Sequence, residues 1–435
     1  MTFLPSRRLR SSGNNALVAL VICVVLASCG TQRRSRKTPS VVEAPPKKEI
    51  EIPNKNEPAP AQPDVIKLTY LLPFNTDEIP FDTAGNVTKK LSEQTKIALD
   101  YYRGAMLALD TVQKGGVRLK AFVYDTQADT ARVRALFNKP EVMQSQLVVG
   151  PVYNAQLQTA APLARKNKVY LLSPFSTVND FVERNPYYIL ANSSLPTHCE
   201  LLYDYAVEQH HPSRILMLYN NNQTDRQYAQ YFINREEQAR NGIQLVSLTD
   251  SSEVPYDRVE EMLSDSGTNV IIVPSVTESF VSSIVRKLGP LTDKYKINLY
   301  GMPQWRDFRT VSPSTFDKLN TRITAAMWFD KSDPEIVRFT DRYTKRFGAA
   351  PSEYALEGYN QTLFFASFIA AKGNNFDKLL PEYGMTTAGE TYHFQTMRRQ
   401  PLHHTESTNM PPFDFIENRS VHILEYKAGR LVKLK

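Results

Sequence analysis

Cysteine is scarce in this 435-residue sequence, with only Cys23, Cys29 and Cys199 present. That count excludes a disulfide framework and any Cys-x-x-Cys redox or zinc pair. The phosphate-cradling Gly-x-x-x-x-Gly-Lys loop, the dinucleotide Gly-x-Gly-x-x-Gly, the hydrolase Gly-x-Ser-x-Gly and the zinc-binding His-Glu-x-x-His are all missing. His210-His211 and His403-His404 are adjacent pairs. Adjacent histidines do not share a helix face as an i, i+4 pair would, so they read as loop residues. Nowhere does the chain offer the roughly 20 consecutive apolar residues that a membrane-spanning helix needs. Lys and Arg exceed Asp and Glu by 52 to 45, but no basic stripe interleaved with aromatics marks a nucleic-acid surface. No catalysis, metal, cofactor or nucleic-acid partner is expected, which leaves binding as the function class.

The N-terminus is more specific. Arg7, Arg8 and Arg10 precede the eleven-residue apolar run Ala16–Leu26. A basic segment followed by a run of this length is the layout of a secretory signal. The run ends in Leu26-Ala27-Ser28-Cys29, small residues before a thiol, which resembles the cleavage and lipidation box of bacterial lipoproteins. Residues 1–28 are expected to be removed and Cys29 to carry the lipid. The loss of three arginines takes the net charge from +7 to +4. Gly30 rather than Asp follows the cysteine, and Arg33, Arg34, Arg36 and Lys37 come next. The expected address is the outer membrane, facing the periplasm, with inner-membrane anchoring the lesser alternative. Cys199 then remains as a lone, buried thiol.

Residues 29–64 hold seven prolines among Lys and Glu and lack apolar periodicity. Such a segment buries too little to offset its ordering entropy and reads as an extended tether. At ~3.1 Å per residue it reaches on the order of 100 Å. From Val65 the patterning changes. Ile66–Pro73 reads as a buried strand, followed by a helix from about Ser92 with Ala98, Tyr102, Ala105, Leu109 and Val112 on one face. Strands over 117–124, 146–149 and 169–172 alternate with a helix over 154–166. The alternation resumes with strands over 214–219, 243–248 and 270–273 and helices over 228–240 and 257–264. Repeated β-α-β order implies parallel sheets with helices on both faces. The expected fold is α/β, two doubly wound parallel-sheet lobes around a cleft. The first lobe comprises 65–191 plus 325–385, and the second 192–324 plus 386–435.

The order of several short motifs resembles the type 1 periplasmic binding proteins of the leucine/isoleucine/valine-binding group. They are Asp100-Tyr101-Tyr102-Arg103-Gly104-Ala105, Tyr124-Asp125-Thr126, Val149-Gly150-Pro151, Ala161-Pro162-Leu163-Ala164, Leu172-Ser173-Pro174, and Phe347-Gly348 through Pro351, Tyr354-Ala355 and Gly358-Tyr359. The resemblance spans 65–435, and lipoproteins of the Bacteroidetes are the nearest subgroup it suggests. It implies ligand capture at the carboxyl ends of the strands, where doubly wound sheets bind ligands.

In the first lobe those ends offer Tyr153, Asn154, Phe175, Ser176 and Thr177; in the second they offer Tyr219, Asn220, Asn222, Gln304 and Trp305. Thr177 matches a hydroxyl position of the family, and Asn154 stands where relatives carry Ser. The family's acidic partner for a ligand ammonium is replaced by Pro303 and Gln304, with Asp225 or Glu278 as substitutes only if a loop shifts. An ammonium buried without a carboxylate costs several kcal/mol. This departure, the long tether and the outer-membrane address together put first a non-catalytic lipoprotein binding a cell-wall-associated protein or a neutral polar ligand. An amino-acid or peptide receptor feeding an ABC-type importer is the alternative. At the C-terminus, His422–Tyr426 and Leu431–Leu434 flank an Ala428-Gly429 turn, read as a hairpin on the second sheet's edge. Met397–Pro412 reads as a polar loop or partner surface.

Overall fold

The computed structural model describes Lys48–Glu49 and residues 65–434, apart from 81, 85–86, 89, 179–180, 183, 251–254, 374–375 and 399–412. Cys29, the signal segment and most of Met397–Pro412 lie outside the described residues. Among the described residues no helix is long and apolar enough to cross a membrane.

The strands, in chain order, are β1 (Lys48–Glu49), β2 (Ile66–Leu72), β3 (Leu119–Asp125), β4 (Leu147–Val149), β5 (Tyr170–Ser173), β6 (Tyr188–Leu190), β7 (Arg214–Leu218), β8 (Gln244–Leu248), β9 (Thr268–Val273), β10 (Lys296–Gly301), β11 (Arg322–Ala325), β12 (Tyr383–Thr387), β13 (Glu390–Met397), β14 (Phe415–Asn418), β15 (His422–Lys427) and β16 (Arg430–Lys433). They form two sheets, β1-β12-β13-β14-β6-β5-β4-β2-β3 and β16-β15-β11-β10-β9-β7-β8. Each sheet has a doubly wound parallel centre. The strand order reverses between β2 and β4 in one and between β7 and β9 in the other, where such sheets open a binding crevice. The central strands β2, β4 and β9 are buried almost throughout, as expected of parallel strands covered by helices on both faces.

The expected helix begins at Ser92, whose Oγ accepts from the Thr95 N–H at 3.2 Å, and covers Glu93–Lys114. Tyr101 is fully buried while Tyr102 is only partly so, because this helix packs against a second helix as well as the sheet. That partner, Glu353–Lys372, is apolar on nearly every side and buried over most of its length. Gly104 and Gly358 let the two backbones touch: a Cβ on Gly104 would lie 1.8 Å from the Ala355 carbonyl oxygen, and one on Gly358 2.0 Å from that of Tyr101.

Residues 386–435, expected together in the second lobe, divide between the sheets. Thr387 pairs with Glu390 across a two-residue turn of Ala388 and Gly389, both at positive φ, which folds β13 straight back onto β12 in the first sheet. β14 follows it there. Only the hairpin β15–β16, closed by the same Ala-Gly pair at 428–429, joins the second sheet, against β11. Within the segment expected to be a tether, Lys48–Glu49 pairs in parallel with Tyr383–Gly384. The expected helix over 257–264 is a 3-10 segment, Tyr256–Met262, and the one expected from Tyr228 starts earlier, as Gln223–Ala239.

The chain crosses between lobes three times, after β6, after β11 and after β14. Buried polar contacts hold the crossings together. Ser193 Oγ donates to the carbonyls of Asn418 and Ser420, the Ser194 N–H donates to Glu417 at 2.7 Å, and Glu390 takes the Trp328 N–H at 2.8 Å and meets His422 Nε2 at 2.9 Å.

Candidate functional site

Two chambers open along the cleft. The first, of about 370 Å³, is lined by Tyr153, Asn154, Phe175, Ser176 and Thr177, with Ile97, Val152, Val178 and Tyr354. All five residues proposed for the first lobe therefore meet in one cavity. The geometry follows from the strand ends: β4 runs into the helix Asn154–Asn167, and β5 into the Ser173-Pro174-Phe175 turn.

The polar edge of this chamber is internally ordered. Ser176 Oγ donates to Asn154 Oδ1 at 2.7 Å and accepts from the Val178 N–H at 3.0 Å. With its oxygen accepting from Ser176, Asn154 contributes an amide NH₂ donor to the chamber lining. Asn154 also opens a helix whose N-cap residue, Tyr153, makes no side-chain cap. The first N–H groups of that helix carry partial positive charge and lack intrahelical acceptors.

The apolar wall is aromatic. Phe175 meets Tyr101 and Tyr354 edge-on, with ring centroids at 5.2 and 5.4 Å. Tyr101 donates to Gln361 Oε1 at 2.8 Å, and Gln361 Nε2 donates to the Pro174 carbonyl and to Glu357. This chain of bonds fixes the Pro174 turn to the helix Glu353–Lys372. Burial, reinforced by the nearby Glu390 carboxylate, pushes Glu357 up to about 8, so it is held as a neutral acid.

The second chamber, about 230 Å³, shares Thr177 with the first and is lined by Leu195, His198, Gln304, Arg306, Asp307 and Thr324, among others. His198 Nδ1 lies 2.8 Å from Thr324 Oγ1. Burial, with His422 close by, lowers the imidazole to about 4 and keeps it neutral. Gln304 is among the residues that line this chamber.

Trp305 does not line either chamber. It is fully buried, stacks on Phe308 and Phe316, and donates from Nε1 to the Ser275 carbonyl at 2.8 Å. The Tyr426 hydroxyl closes on the Trp305 carbonyl at 3.2 Å. Its role is to pin the turn that carries Gln304 and Arg306.

The Tyr219–Asn222 stretch lines neither chamber. Tyr219 packs in the second core, and Asn222 caps the helix Gln223–Ala239 by accepting from the Asp225 N–H at 2.8 Å. The Asn220 N–H donates to Asp225 Oδ2 at 3.2 Å. Asp225 is therefore engaged in the cap, and Glu278 holds the N–H groups of Arg309 and Thr310; neither lines the two chambers. Asp307 lines it instead. The signal for it was three residues past Gln304, and the Asn222-x-x-Asp225 spacing of a helix cap was equally readable.

The periplasmic binding protein family matches residues 85–400. No curated protein sequence matches the chain. Among solved structures, a putative branched-chain amino acid ABC transporter protein of Rhodospirillum rubrum shares 16% identity, covering 85% of this chain and all of that one, with a TM-score of 0.60. A branched-chain amino acid transporter protein of Rhodopseudomonas palustris gives 16%, 85% and 95%, with a TM-score of 0.56. An ABC transporter substrate-binding protein of Desulfitobacterium hafniense, solved in complex with Leu, gives 15%, 85% and 100% at 0.53. At these identities the likeness is one of fold: two α/β lobes, as expected from the alternating pattern.

Proposed function

Because the chain belongs to the periplasmic binding protein family, we propose that it is a solute receptor that closes its lobes on an amino-acid-class ligand and presents it to an ABC-type importer. The observation that carries this reading is the first chamber. It joins a helix N-terminus, the Asn154 amide and the Thr177 hydroxyl, which suit a carboxylate, to an aromatic wall that suits an apolar side chain. Its volume of about 370 Å³ lies within the usual range for small-molecule sites. The solved relative with bound Leu supports the same class.

The cell-wall partner ranked first from sequence rested on a missing ammonium partner, the long tether and the outer-membrane address. Asp307 speaks against the first of these, since it puts a second-lobe carboxylate on the lining of the second chamber. Hinge closure about the three crossings would bring it toward the first chamber and exclude water. A thermal-shift screen with the amino acids is expected to show stabilisation by at least one, lost in Thr177→Val and Asn154→Ala. A silent screen, with a cell-wall enzyme captured instead, would return the account to a partner-binding role.

The lipid on Cys29 and an outer-membrane address belong to the same proposal, supported by the basic segment, the eleven apolar residues and the Leu-Ala-Ser-Cys box. Cys29→Ser should shift the protein from the membrane to the soluble fraction; an unchanged distribution would sink the anchor.

A further inference from the structure

We infer that Arg306 is a specificity-determining residue, and that the ligand carries a second carboxylate which Arg306 receives in the second chamber. This rests on the solute-receptor reading above and names the ligand within its class. Among the described residues lining the two chambers, Arg306 is the cationic side chain and Asp307 the anionic one. A ligand held only by the first chamber would leave the guanidinium to be enclosed on closure, and an enclosed Arg requires a carboxylate partner.

In the structure that partner is Glu353, whose Oε2 lies 3.1 Å from Arg306 Nη2 across the lobes. The pair is half-exposed, at 32% and 47% of the side chains, and such pairs contribute little. Asp307, at 3.7 Å from Arg306 Nε, is farther still. Glu353 thus acts as a place-holder that a ligand carboxylate can displace. The turn bearing Arg306 is fixed by Trp305, through its bond to Ser275 and its stack on Phe316, so the guanidinium is presented from a rigid support. Glu353 directly precedes Tyr354 of the first chamber's wall, and Thr177 belongs to both chambers. The exchange therefore takes place where the chambers join. A ligand anchored by its α-carboxylate at Asn154 and Thr177, with its ammonium toward Asp307, would extend its second carboxylate to Arg306.

That second carboxylate has two sources, an acidic amino acid or a short peptide with an acidic side chain. Calorimetric titration of the full folded chain with L-glutamate, L-glutamine, alanyl-glutamate, alanyl-glutamine and L-leucine separates them. The expected result is that glutamate, alanyl-glutamate or both bind roughly 10–100-fold more tightly than the neutral isostere. Arg306→Gln should erase that preference, and Glu353→Gln should strengthen binding of the acidic member by removing the competitor. Equal affinity for acid and amide, or a preference that survives Arg306→Gln, overturns the assignment. If leucine binds while glutamate shows no preference, the receptor reading stands and this one falls; if no amino acid or peptide binds, both fall.

Discussion

Replacing Gly104 by alanine probes the contact on which the first lobe is built. The new methyl carbon would stand 1.8 Å from the Ala355 carbonyl oxygen and 2.9 Å from the Tyr359 nitrogen. A carbon–oxygen contact needs more than 3 Å, so the helices Glu93–Lys114 and Glu353–Lys372 must part by more than 1 Å. Backbone receives the methyl, and backbone cannot rotate out of the way as a side chain can. Overpacking of this kind costs typically 1–3 kcal/mol, and the upper end applies here. Alanine in a helix gains back about 1 kcal/mol over glycine, leaving a net loss of about 2 kcal/mol. For a lobe of this size that is a fall in Tm of roughly 4–8 °C. Separation of the helices also moves Ile97 and Tyr354, which line the first chamber, so ligand affinity should fall with stability. Urea unfolding followed by circular dichroism measures the first effect. Gly289→Ala, where a Cβ meets nothing within 4 Å, serves as the control and should stay within about 0.5 kcal/mol of the parent. A Gly104→Ala protein as stable as the parent would refute the close-contact account of these helices.

Three further outcomes follow from buried groups. Glu357, raised from 4.5 to about 8 in the folded state, stabilises the fold fully below pH ~4.5; that contribution is lost as pH rises through 8. Glu357→Gln should therefore flatten the stability–pH slope by up to about 1.4 kcal/mol per unit between pH 5 and 8; parallel curves for the two proteins would contradict the neutral-acid assignment. The Cys199 thiol, fully buried and held well above its usual range by that burial, should resist thiol reagents until urea unfolds the protein, and rapid labelling of the native chain would disprove its burial. Trp305→Ala should cost about 3–5 kcal/mol and weaken binding of acidic ligands, while Trp305→Phe, which keeps the stack but loses the bond to Ser275, should cost about 1 kcal/mol. Equal costs for the two would refute the anchoring role.

The lobes and the first half of the site were legible because they depend on local signals. Strand ends at Gly150-Pro151 and Ser173-Pro174 announce the turns, and the residues after them, Tyr153, Asn154, Phe175, Ser176 and Thr177, line one chamber. The second half was harder because burial there is decided by distant packing. Trp305 is an aromatic in a loop, which reads as a ligand platform; only its contacts with Phe316 and Ser275 make it core. Asn220 and Asn222 are spent on a helix start that falls five residues ahead of the apolar pattern, because polar residues fill the first turn. Arg306 and Asp307 gain meaning only once the crossings bring them beside Thr177 and opposite Glu353. The strand β13 was misplaced because the turn at Ala388-Gly389, which pairs it with β12, was not read as one.

The central claim, that the lobes enclose one small solute, is tested most directly by calorimetric titration of the purified chain with the ligand that stabilises it most. The account predicts one site per chain with a negative heat-capacity change from apolar burial, and loss of that binding when Asn154→Ala and Thr177→Val are combined. Undiminished binding in the double variant, or a stoichiometry that the cleft does not control, would contradict it.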